Sequence, residues 1–158
     1  MDTTHLAFAL ISHFEGCRLT PYRCPAGRWS IGYGATRLLD GSAVTETTEA
    51  LTPNEADALL QANIHILCGQ ISALTAGHSL QPYQMAALIS FSYNVGITGL
   101  KTSTLLRRLL MDDLQGAANE FLRWDKMHIA DGSMVESPGL LKRREAERAM
   151  FLGQPFHS

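Results

Sequence analysis

The sequence predicts an α+β chain, mostly helical, in two lobes joined by a long helix. Three observations carry that expectation. A stretch dense in Gly, Pro and aromatic residues, 19–36, interrupts the helical patterns. A long apolar-striped run opens at "LTPNEADALL" with the punctuation of a helix start. Four more helical patterns follow it. One domain, 1–158, is expected. Its small lobe, about 15–52, carries a small antiparallel sheet, the connecting helix takes about 53–74, and the larger helical lobe, about 75–158, packs with helix 3–14.

The first helix is read over Thr3–Phe14, where Leu6, Ala7, Leu10, Ile11 and Phe14 share a face. Glu15-Gly16 falls where it should stop. From Leu19 to Thr36, the mix of turn formers with aromatic and β-branched residues reads as two or three short strands. In it "CPAGR" is a hairpin turn and "WSIGYG" a strand. "DGSAVTETTEAL" follows as a loop. Thr52 then caps, Pro53 takes the first helical position and Glu55 closes a capping box. Leu59, Leu60, Ile64, Leu67 and Ile71 stripe the connecting helix. Later helices are read over Pro82–Tyr93, Ser103–Met111, Asp112–Arg123 and Pro138–Leu152, the last capped by Ser137. "NVG", Asn94 to Gly96, reads as a helix end in left-handed backbone, and Trp124 as part of the helical core.

With 158 residues, 46% of them hydrophobic, the chain can bury a core of its own. Its net charge of -2 supplies no basic field, which argues against nucleic acid as a partner. The six histidines show no metal-ligand spacing, and no cofactor is implied. Three cysteines, an odd number without a CxxC pair, argue against a zinc or disulfide framework and leave at least one free thiol. Cys17 and Cys68 read as structural thiols. The N-terminus has an acid at position 2, no basic stretch, and an apolar run broken by His13. It reads as a folded helix and not as a signal peptide, so synthesis in the cytoplasm without stable membrane insertion is expected.

Glu15, Cys24 and Ser30 stand within one short stretch. Hydrolysing a glycosidic bond needs an acid for the leaving oxygen and a group on the opposite face to direct water or attack the sugar. A helix end followed by a hairpin can bring these three residues to one cleft wall. A thiol is mostly protonated at neutral pH and a poor base, which sets Cys24 apart from the usual carboxylate. Tyr22, Trp29 and Tyr33 can stack on sugar rings or pack in the small lobe's core; Tyr33 is the candidate for substrate binding.

The same stretch, "EGCRLTPYRCPAGRWSIGYGAT", resembles the phage-type lysozymes, or endolysins, whose pattern is Glu, eight residues, Asp or Cys, five residues, Thr. "ALISFSYNVGITGLKTSTLLRRL" and "FLRWDKMHIADGSMVESPGLLKRREAERAMFL" are similar to that family's helical-lobe and C-terminal signatures, in the same order. The resemblance implies a lysozyme-like fold and a muramidase cutting the β-1,4 bond between N-acetylmuramic acid and N-acetylglucosamine in bacterial peptidoglycan. It implies Glu15 as general acid, with Cys24 in the Asp position and Ser30 in the Thr position. One Arg of the basic run Lys142, Arg143, Arg144 and Arg148 is implied to turn toward the cleft; Arg143 is the candidate, though a solvated helix face also accounts for the run. A monomer is expected, reaching the wall through a hole made by a separate holin-like protein. A wall-binding module that no longer cleaves, a thiol hydrolase acting on wall peptides and a secreted antibacterial toxin are the alternatives.

Overall fold

The computed structural model describes residues 2–129 and 131–154. Helix α1 (Thr3–Glu15) leads into a hairpin of β1 (Arg18–Arg23) and β2 (Trp29–Gly32), and then into a loop that ends at the long α2 (Pro53–Leu74). Helices α3 (Pro82–Val95), α4 (Ile97–Lys101), α5 (Thr104–Leu110) and α6 (Leu114–Glu120) follow, with a 3₁₀ turn at Phe121–Arg123. A second hairpin, β3 (Lys126–His128) and β4 (Met134–Glu136), precedes the last helix, α7 (Pro138–Phe151).

Helix starts follow the side-chain chemistry. The Asp2 carboxylate accepts from the His5 amide at 2.8 Å, which fixes the start of α1. Thr52 and Glu55 form the reciprocal capping box of α2, with bonds of 3.1 and 2.8 Å. Ser137 caps α7 through the Leu140 amide, and Pro138 occupies its first turn.

Two apolar clusters divide the molecule. The larger gathers Leu10 and Ile11 of α1, Ile64 and Ile71 of α2, and Phe91, Phe121 and Phe151. Its aromatic centre stacks Phe91 edge-on against Phe121 at 5.5 Å and Trp124 at 5.3 Å. Helix α3 runs through this cluster with α1, α2 and α7 packed around it, and so 86–92 are buried on every side. The smaller cluster is Ile31, Ala35, Val44 and Leu59. Helix α2 serves both, with Leu59 in one and Leu60 in the other.

The structure departs from expectation in the helical lobe. The β3–β4 hairpin is a second sheet, where a sheet was expected in the N-terminal lobe alone. Its signal was Asp131-Gly132, a turn pair between two short runs. Gly132 takes φ 86, and Asp131 accepts from the Ser133 amide at 2.8 Å. The helices read over 103–111 and 112–123 are shorter than expected. Asp112 at φ 60 and the Asp113 cap break the pattern between them. Asn94 lies inside α3; only Gly96 takes the left-handed turn, at φ 100. Cys17 is exposed, contrary to a structural role, whereas Cys68 packs partly buried against the large core. All three cysteines are free. No helix among the described residues is long and apolar enough to cross a membrane.

Candidate active site

A cleft of about 880 Å³ opens between the β1–β2 hairpin and the helical lobe. Glu15, Cys24, Ser30 and Arg143 all line it. Local folding explains how. Glu15 is the last residue of α1, and Gly16 at φ 65 returns its amide to the Ser12 carbonyl at 3.1 Å, turning the chain into β1. Cys24 begins the hairpin turn, where its amide donates to the Arg28 carbonyl at 2.9 Å and its carbonyl accepts from Gly27 at 2.8 Å. Ser30 faces Tyr22 across the hairpin and is 1% exposed, its hydroxyl donating to the Arg28 carbonyl at 3.4 Å.

Arg143 comes from the far end of the sequence and donates through Nη1 to Glu15 Oε2 at 2.7 Å. That contact leaves Oε1 toward Gly34, where an added Cβ would stand 3.0 Å away. Gly34 holds φ 83, so both backbone and space favour glycine there. Tyr93 donates its hydroxyl to the Tyr33 carbonyl at 2.7 Å, and burial followed by the Glu15 charge pushes its phenol up. Burial and then Glu15 raise the Tyr22 phenol in the same way.

Behind Arg143 lies a buried ionic group. Arg143 Nε donates to Glu147 Oε2 at 3.2 Å, Arg143 Nη2 to the Ser90 carbonyl at 3.2 Å, and the Ser90 hydroxyl to Glu147 Oε2 at 2.6 Å. Arg144 Nε stands 2.9 Å from Glu147 Oε1 in an ion pair not aligned as a hydrogen bond, and Nη2 donates to Asn94 Oδ1 at 2.6 Å. Burial pushes the Glu147 carboxyl up, and the two guanidiniums and the Ser90 hydroxyl oppose that rise. Arg143 and Ser90 donate to Oε2 and the Arg144 guanidinium adds a second positive charge beside Oε1, so the carboxylate is the form this geometry holds.

Tyr33 is not brought to the cleft. Its hydroxyl donates to Asp57 at 2.8 Å, its ring packs edge-on against Phe8 at 5.7 Å, and it is not among the residues that line the cleft. Of the basic run, Arg143 alone touches Glu15; Arg144 is wholly buried, Arg148 binds Asn119 from the surface, and Lys142 is exposed. Gly34, Tyr93, Asn94 and the hairpin residues Met127 and His128 also belong to the site, and sequence reasoning did not single them out for it. Asn94 was legible only as a helix-end residue.

An acid at a helix end, facing a hairpin across a cleft between two lobes, is the site of a glycoside hydrolase with lysozyme-like architecture. The chain belongs to the phage lysozyme family, whose model matches residues 12–147. It is 37% identical over 154 residues to an endolysin of Acyrthosiphon pisum secondary endosymbiont phage 1, an alignment spanning 96% of this chain and 98% of that one. The endolysin of Salmonella phage P22 is 34% identical over 138 residues, 87% of this chain and 89% of that one. Among solved structures, the endolysin from Escherichia coli O157:H7 phage FAHEc1 superposes with a TM-score of 0.89 at 28% identity, covering 100% of this chain and 98% of that one. The protein is therefore an endolysin-type muramidase. The alternatives of a binding module or a secreted toxin gain no support.

Proposed function

We propose that Glu15 protonates the leaving oxygen of the muramyl bond, while Cys24 and Ser30 direct water or meet the sugar from the other face. The observation that carries this reading is the meeting of Glu15, Cys24 and Ser30 in one cleft, with Arg143 2.7 Å from the acid. Arg143 fixes Glu15 Oε2 and leaves Oε1 for the substrate. Its Nε and Nη2 are engaged by Glu147 and Ser90, so orienting the acid suits it better than binding sugar. Ser30 keeps a hydroxyl that can hold a water, and the Cys24 thiol supplies weak base assistance.

The enzyme acts as a monomer on the wall of the cell that made it, reaching it from the cytoplasm once a separate holin-like protein has opened the membrane. Relatives named endolysin support its action on the wall. Digestion of purified peptidoglycan, with released ends identified by mass spectrometry, tests the chemistry. Muramic-acid reducing ends are expected from wild type, and Glu15→Gln should release them about 10²–10⁴-fold more slowly. Wild-type release by a folded Glu15→Gln would sink the assignment. Cys24→Ser should slow release about tenfold, the measure of what the thiol contributes.

A further inference from the structure

We infer that Glu147 is a positioning residue for glycoside cleavage: buried behind the cleft with Ser90, it holds the Arg143 guanidinium in the orientation that reaches Glu15. The inference rests on the reading of Glu15 as the general acid.

Glu147 does not itself line the cleft and is 0% exposed. Its Oε2 receives both Arg143 Nε and the Ser90 hydroxyl, while Arg143 Nη2 donates to the Ser90 carbonyl. Two edges of a planar guanidinium are thereby fixed, and the plane has no freedom left. Only Nη1 remains, and it is the atom on Glu15 Oε2. The other arm runs from Glu147 through Arg144 to Asn94 Oδ1, another residue of the cleft lining. Since Arg144 is a donor only, it fixes the Asn94 amide with its N–H₂ group away from Arg144.

A buried carboxylate between two buried guanidiniums is a poor way to fill a core, because apolar side chains of similar volume do so more cheaply. Charge compensation gives a reason for it here. A general acid must alternate between neutral and charged forms. If Glu15 were the sole partner of Arg143, each protonation would leave a buried guanidinium unpaired. Glu147 supplies a counter-charge that stays constant through the cycle. The charged groups facing Glu15 are Arg143 and, beyond it, Arg144 from α7; Tyr93 from α3 and Tyr22 from β1 face it as phenols. Arg143, Arg144 and the Ser90 hydroxyl face Glu147. Removing the Glu147 charge therefore leaves a net positive field on Glu15, which favours its carboxylate and disfavours the proton it must donate.

The test uses the full chain, with initial rates on soluble peptidoglycan fragments across pH. Glu147→Gln should lower kcat at least about tenfold with KM within about twofold, and move the alkaline limb of the kcat profile to lower pH. Glu147→Asp, which keeps the charge, should bring the limb back toward wild type. Ser90→Ala, which leaves every charge in place, should lower kcat about threefold to fivefold with its melting temperature nearly kept. A folded Glu147→Gln with wild-type kcat and pH profile would overturn the inference. Should Glu147→Gln fail to fold, Ser90→Ala decides, and a wild-type kcat in that variant overturns it equally. Glu15→Gln run alongside separates the two readings. Activity in that control sinks the acid assignment itself; its inactivity beside wild-type Ser90→Ala and Glu147→Gln sinks the positioning role alone.

Discussion

Glu15 and Cys24 face one cleft, yet what stands behind them differs. Behind Glu15 are Arg143, Ser90 and Glu147, seated in a core that includes Phe91, Phe121 and Phe151. Behind Cys24 is a hairpin turn closed by two backbone bonds, on a lobe whose buried cluster is four residues. Large cores fix side chains through many neighbours, whereas a hairpin fixes them chiefly through its own backbone. The acid, whose geometry must be exact to within a fraction of an ångström, sits on the first kind of support. The residue that departs from the usual carboxylate sits on the second. A change at position 24 meets only a turn, whereas a change at position 15 alters the partner of Arg143 and so reaches Glu147 and Ser90.

Deletion in the large core should have the greatest effect on stability. Phe91→Ala removes a wholly buried ring that touches Phe121, Trp124 and the Arg144 guanidinium. It should destabilise by about 3–5 kcal/mol in urea unfolding. Ile31→Ala in the small cluster should cost less, about 2 kcal/mol, because a four-residue cluster beside solvent collapses more readily onto the gap. Equal costs for the two would erase the contrast between the lobes.

Gly34→Ala sharpens the comparison where the lobes meet. The new methyl would press on Glu15 Oε1 and occupy a left-handed backbone. A loss of about 1–2 kcal/mol is expected from the backbone, and about a tenfold loss of activity from displacing the acid. Activity intact in that variant would show that Glu15 tolerates movement despite its supports. The smallest effect belongs to Thr52→Ala, which removes one half of an exposed capping box at the head of α2. About 1 kcal/mol in thermal unfolding is expected, with the rate on peptidoglycan unchanged. A large fall in rate there would mean that the connecting helix transmits strain between the lobes.

Much of the molecule was legible from local chemistry. The start of α2 follows from Thr52, Pro53 and Glu55, and the start of α7 from Ser137 and Pro138, because caps act within one helical turn. Glu15 at the end of α1, Cys24 in the first turn and Ser30 on a strand were equally readable, since each position is set by its near neighbours. The resemblance to phage-type lysozymes added the chemistry those positions carry.

What the sequence could not decide involves partners far apart along the chain. The basic run offered three arginines for the cleft, and only packing of α7 against α3 chose Arg143, 128 residues from Glu15. The same packing buried Arg144, for which the charge pattern left both a solvated face and the cleft open, and Glu147 beside it. It turned Tyr33 toward Asp57 instead of the cleft, and brought Asn94 to the cleft wall. Caps, turns and apolar stripes depend on contacts a few residues apart, and the sequence alone determined them. Which charge pairs with which, and which side chain meets the substrate cleft, depends on how helices pack, and only the tertiary structure settled it.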